Sequence, residues 1–230
     1  MIDKHLLLVG ASRGLGLGMA VEFLKKGWNV VGTVRGSART GLHELKDEFD
    51  GRVEIESLDI AQPDQIAALH NRLSGRIFDI LFVNAGTANA NDESIADVST
   101  EEYARAMVTN ALGPMRVIER MQSLVSPKGM IGIMSSGQGS ISNNMNGRHD
   151  VYRGTKAALN MHMRSYAARH AGEHRALVLM APGWIRTDLG GPNAPVSVED
   201  AIPKVVSVLL AQQGKSGLQY LDRDGHTVAW

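Results

Sequence analysis

The chain has 230 residues, 24 basic and 24 acidic side chains, no cysteine, and 43% hydrophobic residues. That length suits one hydrophobic core, and the balanced charge excludes a protein built around the nucleic-acid backbone, which needs a clustered basic face. Without cysteine there is no disulfide framework, thiolate nucleophile or cysteine zinc site; this suits a cytoplasmic address, and no apolar run approaches the roughly 18 residues of a membrane span.

In chain order, short aliphatic or β-branched runs alternate with longer helical stretches. Strands are expected at His5–Val9, Asn29–Val34, Arg52–Leu58, Phe78–Val83, Met130–Met134, Ala176–Met180 and Leu218–Leu221. Helices are expected at Leu15–Lys26, Leu42–Phe49, Pro63–Leu73, Thr100–Leu124, Val151–Ala171 and Val198–Ala211. This alternation predicts an α/β fold, a doubly wound, mostly parallel seven-stranded sheet with helices on both faces, as a single domain over residues 1–230. Ser99, ahead of Thr100-Glu101-Glu102, is a capping residue with acids in the first turn. The irregular stretches Gly137–Asp150 and Asp188–Ser197 each follow a strand and its turn, at the carboxyl edge where open α/β sheets bind ligands.

Gly10-Ala11-Ser12-Arg13-Gly14-Leu15-Gly16 closes the first strand and opens the first helix. Gly10, Gly14 and Gly16 permit a sharp turn and close approach of backbone to a pyrophosphate, and the helix amino terminus offers unpaired N–H donors. Ser12 and Leu15 belong to the same cofactor-binding turn. The spacing is G-x-x-x-G-x-G rather than the general G-x-G-x-x-G. After the second strand, where an NAD site would offer an acid, the chain has Arg35. Arg35, with Arg13, suits a 2′-phosphate and favours NADP(H), with NAD(H) as the alternative. Tyr152 and Lys156 lie four apart on one helix face. A phenol beside an ammonium can act as an acid and base once its pKa is shifted.

With these markers the chain resembles the short-chain dehydrogenase/reductase family over essentially its whole length. The markers run in family order: the glycine turn, Asp59-Ile60, Asn84-Ala85-Gly86, Asn110, Ser135-Ser136, Tyr152 with Lys156, and the run Pro182 to Thr187. The resemblance implies that Tyr152 donates a proton to a carbonyl oxygen as hydride arrives from nicotinamide, and that Ser136 hydrogen-bonds the same oxygen. It implies that Lys156 contacts the ribose and lowers the Tyr152 pKa, and that Asn110 anchors a water linking Lys156 to solvent. Asp59 and Ile60 would meet the adenine, Asn84, Ala85 and Gly86 the adenosine side. Pro182, Gly183, Ile185 and Thr187 would shape the nicotinamide site. Ser140 rivals Ser136, because the family's usual spacing to the tyrosine falls between theirs; Ser136 is preferred because it ends the apolar run Met130–Met134.

The Asn143–His149 stretch, the run to Gly191 and the ending Asp222–Trp230 are most similar to one branch, the short carbonyl reductases of the Sniffer and C-factor kind. That branch implies NADPH-dependent carbonyl reduction of a small molecule; the alternative is a signalling or nucleotide-sensing protein with little turnover. With only a short connection after Thr187, the substrate pocket is expected to be shallow and open, with Met145, Trp184 and Leu189 as apolar walls. No histidine and carboxylate cluster has metal spacing. The family implies a homodimer, or a tetramer, through the helices carrying Asn110 and Tyr152.

Overall fold

The computed structural model describes residues 3–49, 51–88 and 94–230. Seven parallel strands form one sheet: β1 (His5–Val9), β2 (Asn29–Val34), β3 (Val53–Ser57), β4 (Phe78–Val83), β5 (Val125–Met134), β6 (Ala176–Ala181) and β7 (Gly217–Asp222), in the order β3-β2-β1-β4-β5-β6-β7. Seven α-helices connect them: α1 (Gly14–Lys25), α2 (Gly41–Glu48), α3 (Pro63–Arg72), α4 (Thr100–Met107), α5 (Gly113–Met121), α6 (Asp150–Arg169) and α7 (Val198–Gln212).

The strands are apolar on both faces, and their alternation sorts the core into two layers. Leu6 and Leu8 of β1 pack with Met19 and Phe23 of α1 and Val205 of α7. Leu7 and Val9 face the opposite way, toward Ile66 of α3, Ile118 of α5 and Leu159 of α6. Strand order reverses between β1 and β4, which are paired from Leu6↔Ile80 to Val9↔Val83. A crevice opens at such a switch point beyond the strands' carboxyl ends.

Two departures from expectation bear on the site. β5 begins at Val125 rather than Met130, because Phe78↔Val125 pairs ahead of a register shift in the β4–β5 ladder. The long helix expected over Thr100–Leu124 is divided: a π-helical turn at Val108–Leu112 separates α4 from α5, and Gln122–Leu124 tightens to a 3-10 turn. A π turn re-aims the side chains it carries, and this one carries Asn110.

Candidate active site

At the switch point the cradle is built from backbone. Gly10 has φ +87°, and a Cβ there would lie 2.8 Å from the Ala85 backbone. A Cβ on Gly16 would meet the Gly10 carbonyl oxygen at 2.0 Å. Asn84 locks the two turns together: its Nδ2 donates to the Gly10 carbonyl at 2.8 Å, and its backbone N–H donates to Val9 at 2.9 Å. The Gly10 N–H donates to the Thr33 hydroxyl at 2.9 Å. α1 then starts at Gly14 with no side-chain cap and no acid in its first turn. Its leading N–H groups are left for an anion, which fits a pyrophosphate. Across the cradle, the Thr187 methyl lies 3.5 Å from where a Cβ on Gly14 would sit.

Ser12, Leu15, Asp59 and Ile60 complete this side. Asp59 Oδ1 accepts from the Ala61 N–H at 2.9 Å, and Ile60 is buried with its carbonyl against Gly113. Arg35 is exposed at the end of β2. Arg13 is exposed too, but its guanidinium pairs with Asp188 at 3.2 Å, so a 2′-phosphate would compete with that carboxylate.

The chemistry side is built from side chains. Ser136 follows β5, and its hydroxyl accepts from the Gln138 N–H at 3.2 Å while lying in hydrogen-bonding reach of the Tyr152 hydroxyl. Ser140 is buried instead, accepting from the Asn143 N–H at 3.1 Å and donating to the Trp230 carbonyl oxygen at 3.4 Å. The Ser136 reading thus has the geometry in its favour. Lys156, one turn along α6 from Tyr152, is buried and donates to the Met134 carbonyl at 2.9 Å. Burial lowers its pKa to about 8.

Burial pushes the Tyr152 phenol up, and the Ser136 hydrogen bond opposes it. The Lys156 ammonium sits 5.8 Å from the centre of the Tyr152 ring. Both ends of the buried Asn110 amide clasp Thr87: Oδ1 accepts from the N–H at 2.8 Å, and Nδ2 donates to the carbonyl at 2.8 Å. Nδ2 also donates to Thr155 Oγ1 at 3.0 Å, and Thr155 donates to the Tyr152 carbonyl at 2.8 Å. Asn110 therefore ties the turn after β4 to the helix that carries Tyr152. A Cβ on Gly86 would lie 3.3 Å from Asn110 Oδ1 and 3.7 Å from Lys156 Nζ, so both groups front the same glycine.

Pro182 and Gly183 follow β6, with Gly183 at φ +91°. Arg223, a residue sequence reasoning missed, donates to the Pro182 carbonyl at 2.9 Å and occupies the space a Gly183 side chain would need. Ile185 is buried and bridges Val196, which closes the short loop on itself. Thr187 Oγ1 accepts from the Gly190 N–H at 3.0 Å, and the Trp184 ring N–H donates to the Gly190 carbonyl at 2.7 Å. Met145 (90% exposed), Trp184 and Leu189, expected as pocket walls, stand open to solvent on loops. Asn160 and Tyr220 were also missed, while Ser135, half of the Ser135-Ser136 marker, is buried. Among the described residues no three His, Asp or Glu side chains group as a metal site, and no helix is long and apolar enough to cross a membrane.

Comparison with known proteins adds independent support. A solved short-chain dehydrogenase/reductase from Burkholderia multivorans with bound NADP superposes with a TM-score of 0.98, at 59% identity over 99% of this chain and 100% of that one. Carbonyl reductase Sniffer of D. melanogaster superposes with a TM-score of 0.87, at 25% identity over 100% of both chains. The C-signal protein of Myxococcus xanthus is 32% identical over 154 residues, 66% of this chain and 92% of that protein. A family model described as enoyl-(acyl carrier protein) reductase matches residues 10–206. That match spans every marker from the glycine turn to Thr187, and the chain belongs to the short-chain dehydrogenase/reductase family of oxidoreductases.

Proposed function

We propose that this protein binds NADP(H) and reduces a ketone or aldehyde to the alcohol, reversibly, with Tyr152 as general acid and base. The observation that carries the reading is the Tyr152 hydroxyl in reach of Ser136, one helical turn from the buried Lys156, beside a glycine cradle that has no room for side chains. NADP(H), when bound, supplies the hydride and, once oxidised, a positive charge. Gly10, Ser12, Gly14, Leu15 and Gly16 would hold its pyrophosphate, while Asp59, Ile60, Asn84, Ala85 and Gly86 would line the adenosine side. Arg35, and Arg13 once released from Asp188, would meet the 2′-phosphate. The structure bound to NADP in the similar Burkholderia protein supports that choice of cofactor.

Ser136 holds the substrate carbonyl oxygen by a hydrogen bond, and Tyr152 gives that oxygen its proton as the C=O becomes C–OH. The raised Tyr152 pKa keeps the proton on the phenol until an acceptor arrives. Lys156 commits one of its three N–H donors to Met134 and leaves two for a ribose. Pro182, Gly183, Ile185 and Thr187 shape the nicotinamide end. A homodimer in the cytoplasm belongs to the same reading; exposed Leu112 and Met161 beside Asn110 and on α6 support the pairing face. Likeness to C-signal favours, as a second reading, a signalling protein with little turnover; the full set of Ser136, Tyr152 and Lys156 favours the enzyme, since a pure binder needs no proton donor.

Nicotinamide absorbance, followed with purified protein, NADPH and a panel of carbonyl compounds, tests the proposal. Tyr152→Phe should slow turnover by about 100-fold or more while NADPH still binds. A Phe variant as fast as the parent would remove Tyr152 from the chemistry.

A further inference from the structure

The turn that carries Ser136 is held by buried polar groups that take no part in the chemistry above. Tyr220, on the edge strand β7, is 1% exposed, and its hydroxyl donates to the Ser136 carbonyl. That carbonyl also accepts from the Gly139 N–H at 2.8 Å, so both of its lone pairs are used. Ser135 Oγ donates to Asn160 Oδ1 at 2.6 Å, and Asn160 Nδ2 donates to the Gly139 carbonyl at 3.2 Å. Both of those side chains also lie in hydrogen-bonding reach of the Tyr220 hydroxyl. Beyond β7 the chain doubles back, with the Val228 N–H donating to the Tyr220 carbonyl at 2.8 Å. This return places the Trp230 ring 5.3 Å from the Tyr220 ring, centre to centre. The Trp230 carbonyl oxygen accepts from the Ser142 N–H at 2.9 Å and from the Ser140 hydroxyl.

We propose that Tyr220 is a positioning residue for proton transfer: it fixes Ser136 beside Tyr152 through the Ser136 carbonyl, while Trp230 holds the far end of the same turn. This rests on the assignment of Ser136 and Tyr152 made above. The turn needs such a brace because Gly137 and Gly139 flank Gln138, and glycine restricts backbone motion least. Misplacing a reacting group by about 1 Å can cost about 100-fold in rate. Core packing alone would be served by phenylalanine at 220; a buried hydroxyl is costly unless bonded, and this one is bonded to the serine turn. Burial also holds the Tyr220 phenol above the ordinary tyrosine range, so it remains a donor across the neutral range. The end of β5 is thus pinned at alternate carbonyls, Met134 by Lys156 and Ser136 by Tyr220.

Tyr220→Phe keeps the ring and removes only the hydroxyl. Its kcat should fall about tenfold, equivalent to about 1.4 kcal/mol, with KM for NADPH and NADPH affinity by fluorescence titration unchanged. In a Ser136→Ala background the same change should cost less than about twofold, because its route of action is gone. A parent-like kcat for Tyr220→Phe overturns the proposal, and so does an equal loss in both backgrounds, which marks a merely structural role. Should Tyr220→Phe not fold, Trp230→Leu decides, with a threefold fall, of order 0.7 kcal/mol, that vanishes in the Ser136→Ala background; an unchanged kcat overturns it. If Ser136→Ala itself turns over like the parent, the reading of the site fails and the brace with it. A slow Ser136→Ala beside a parent-like Tyr220→Phe removes the brace alone.

Discussion

The two halves of the sheet's carboxyl edge are built on opposite plans. Between β1 and β4 the cradle is backbone against backbone, with Gly10, Gly16 and the Ala85 turn closer than any Cβ allows. Between β5 and β7 the same edge is held by side chains: Lys156 on Met134, Tyr220 on Ser136, and Arg223 on Pro182. A site made of backbone tolerates no added atom but is insensitive to pH. A site made of side chains titrates, as Lys156 does with its pKa lowered to about 8.

The sharpest way to break the first half is Gly10→Ala. The methyl would have to occupy space 2.8 Å from the Ala85 backbone at φ +87°, so strain and overpacking combine. We expect a loss of about 3 kcal/mol in unfolding free energy and no measurable NADPH binding. Denaturant melts with a fluorescence titration check both; a variant as stable as the parent would show that the turn relaxes freely.

This division also governs what was readable in the sequence. The glycine turn and the Tyr152–Lys156 pair depend on neighbours within a few residues, and each lies on the element where the spacing placed it. Ser99 likewise caps α4 by accepting from the Glu102 N–H at 3.1 Å. The π turn at Val108–Leu112 was hidden because Asn110 answers to Thr87, 23 positions earlier. Tyr220 and Arg223 were hidden for the same reason, their partners lying 84 and 41 positions away. Nothing local marks a tyrosine in a strand as a brace rather than as core. The Tyr152 pKa could not be read either, because its largest cause is burial, which only the assembled helix and sheet create.

On the side-chain half, Lys156→Met should separate stability from function. Burial holds the folded-state pKa near 8 against an ordinary 10.5, so below pH 8 folding must bury a charge that the unfolded chain keeps in water. Between pH 8 and 10.5 the unfolded state binds more protons, so the parent gains stability as pH rises. The Met variant carries no such cost. It should be more stable than the parent by about 2 kcal/mol below pH 8, after allowing for the lost bond to Met134. That advantage should shrink as pH rises through 8 and close toward 10.5. Turnover of the variant should drop steeply, and the parent's carbonyl reduction should decline above pH 8 as the ammonium discharges. Melts across this range decide the matter, and a variant less stable than the parent at neutral pH would show that Lys156 is a structural anchor first.

The smallest expected effect concerns the exposed rim of the backbone half, where Arg35 and Arg13 are proposed to meet the 2′-phosphate. Arg35 is exposed at the end of β2, so its contacts to a 2′-phosphate are weakened by water and salt. Arg35→Ala should weaken NADPH binding by about tenfold, close to 1.4 kcal/mol, and leave NADH binding and the melting temperature unchanged. Arg13 is a more awkward case, since its guanidinium is already paired with Asp188 at 3.2 Å. Exposed pairs contribute roughly 0–1 kcal/mol, so Asp188 can be displaced by a dianionic phosphate at little cost. Asp188→Asn should therefore tighten NADPH binding slightly, and the gain should disappear in high salt, where the carboxylate no longer competes. If Asp188→Asn instead weakens NADPH and NADH equally, Asp188 holds the Thr187 loop rather than screening the phosphate site, and Arg35 alone distinguishes the two cofactors.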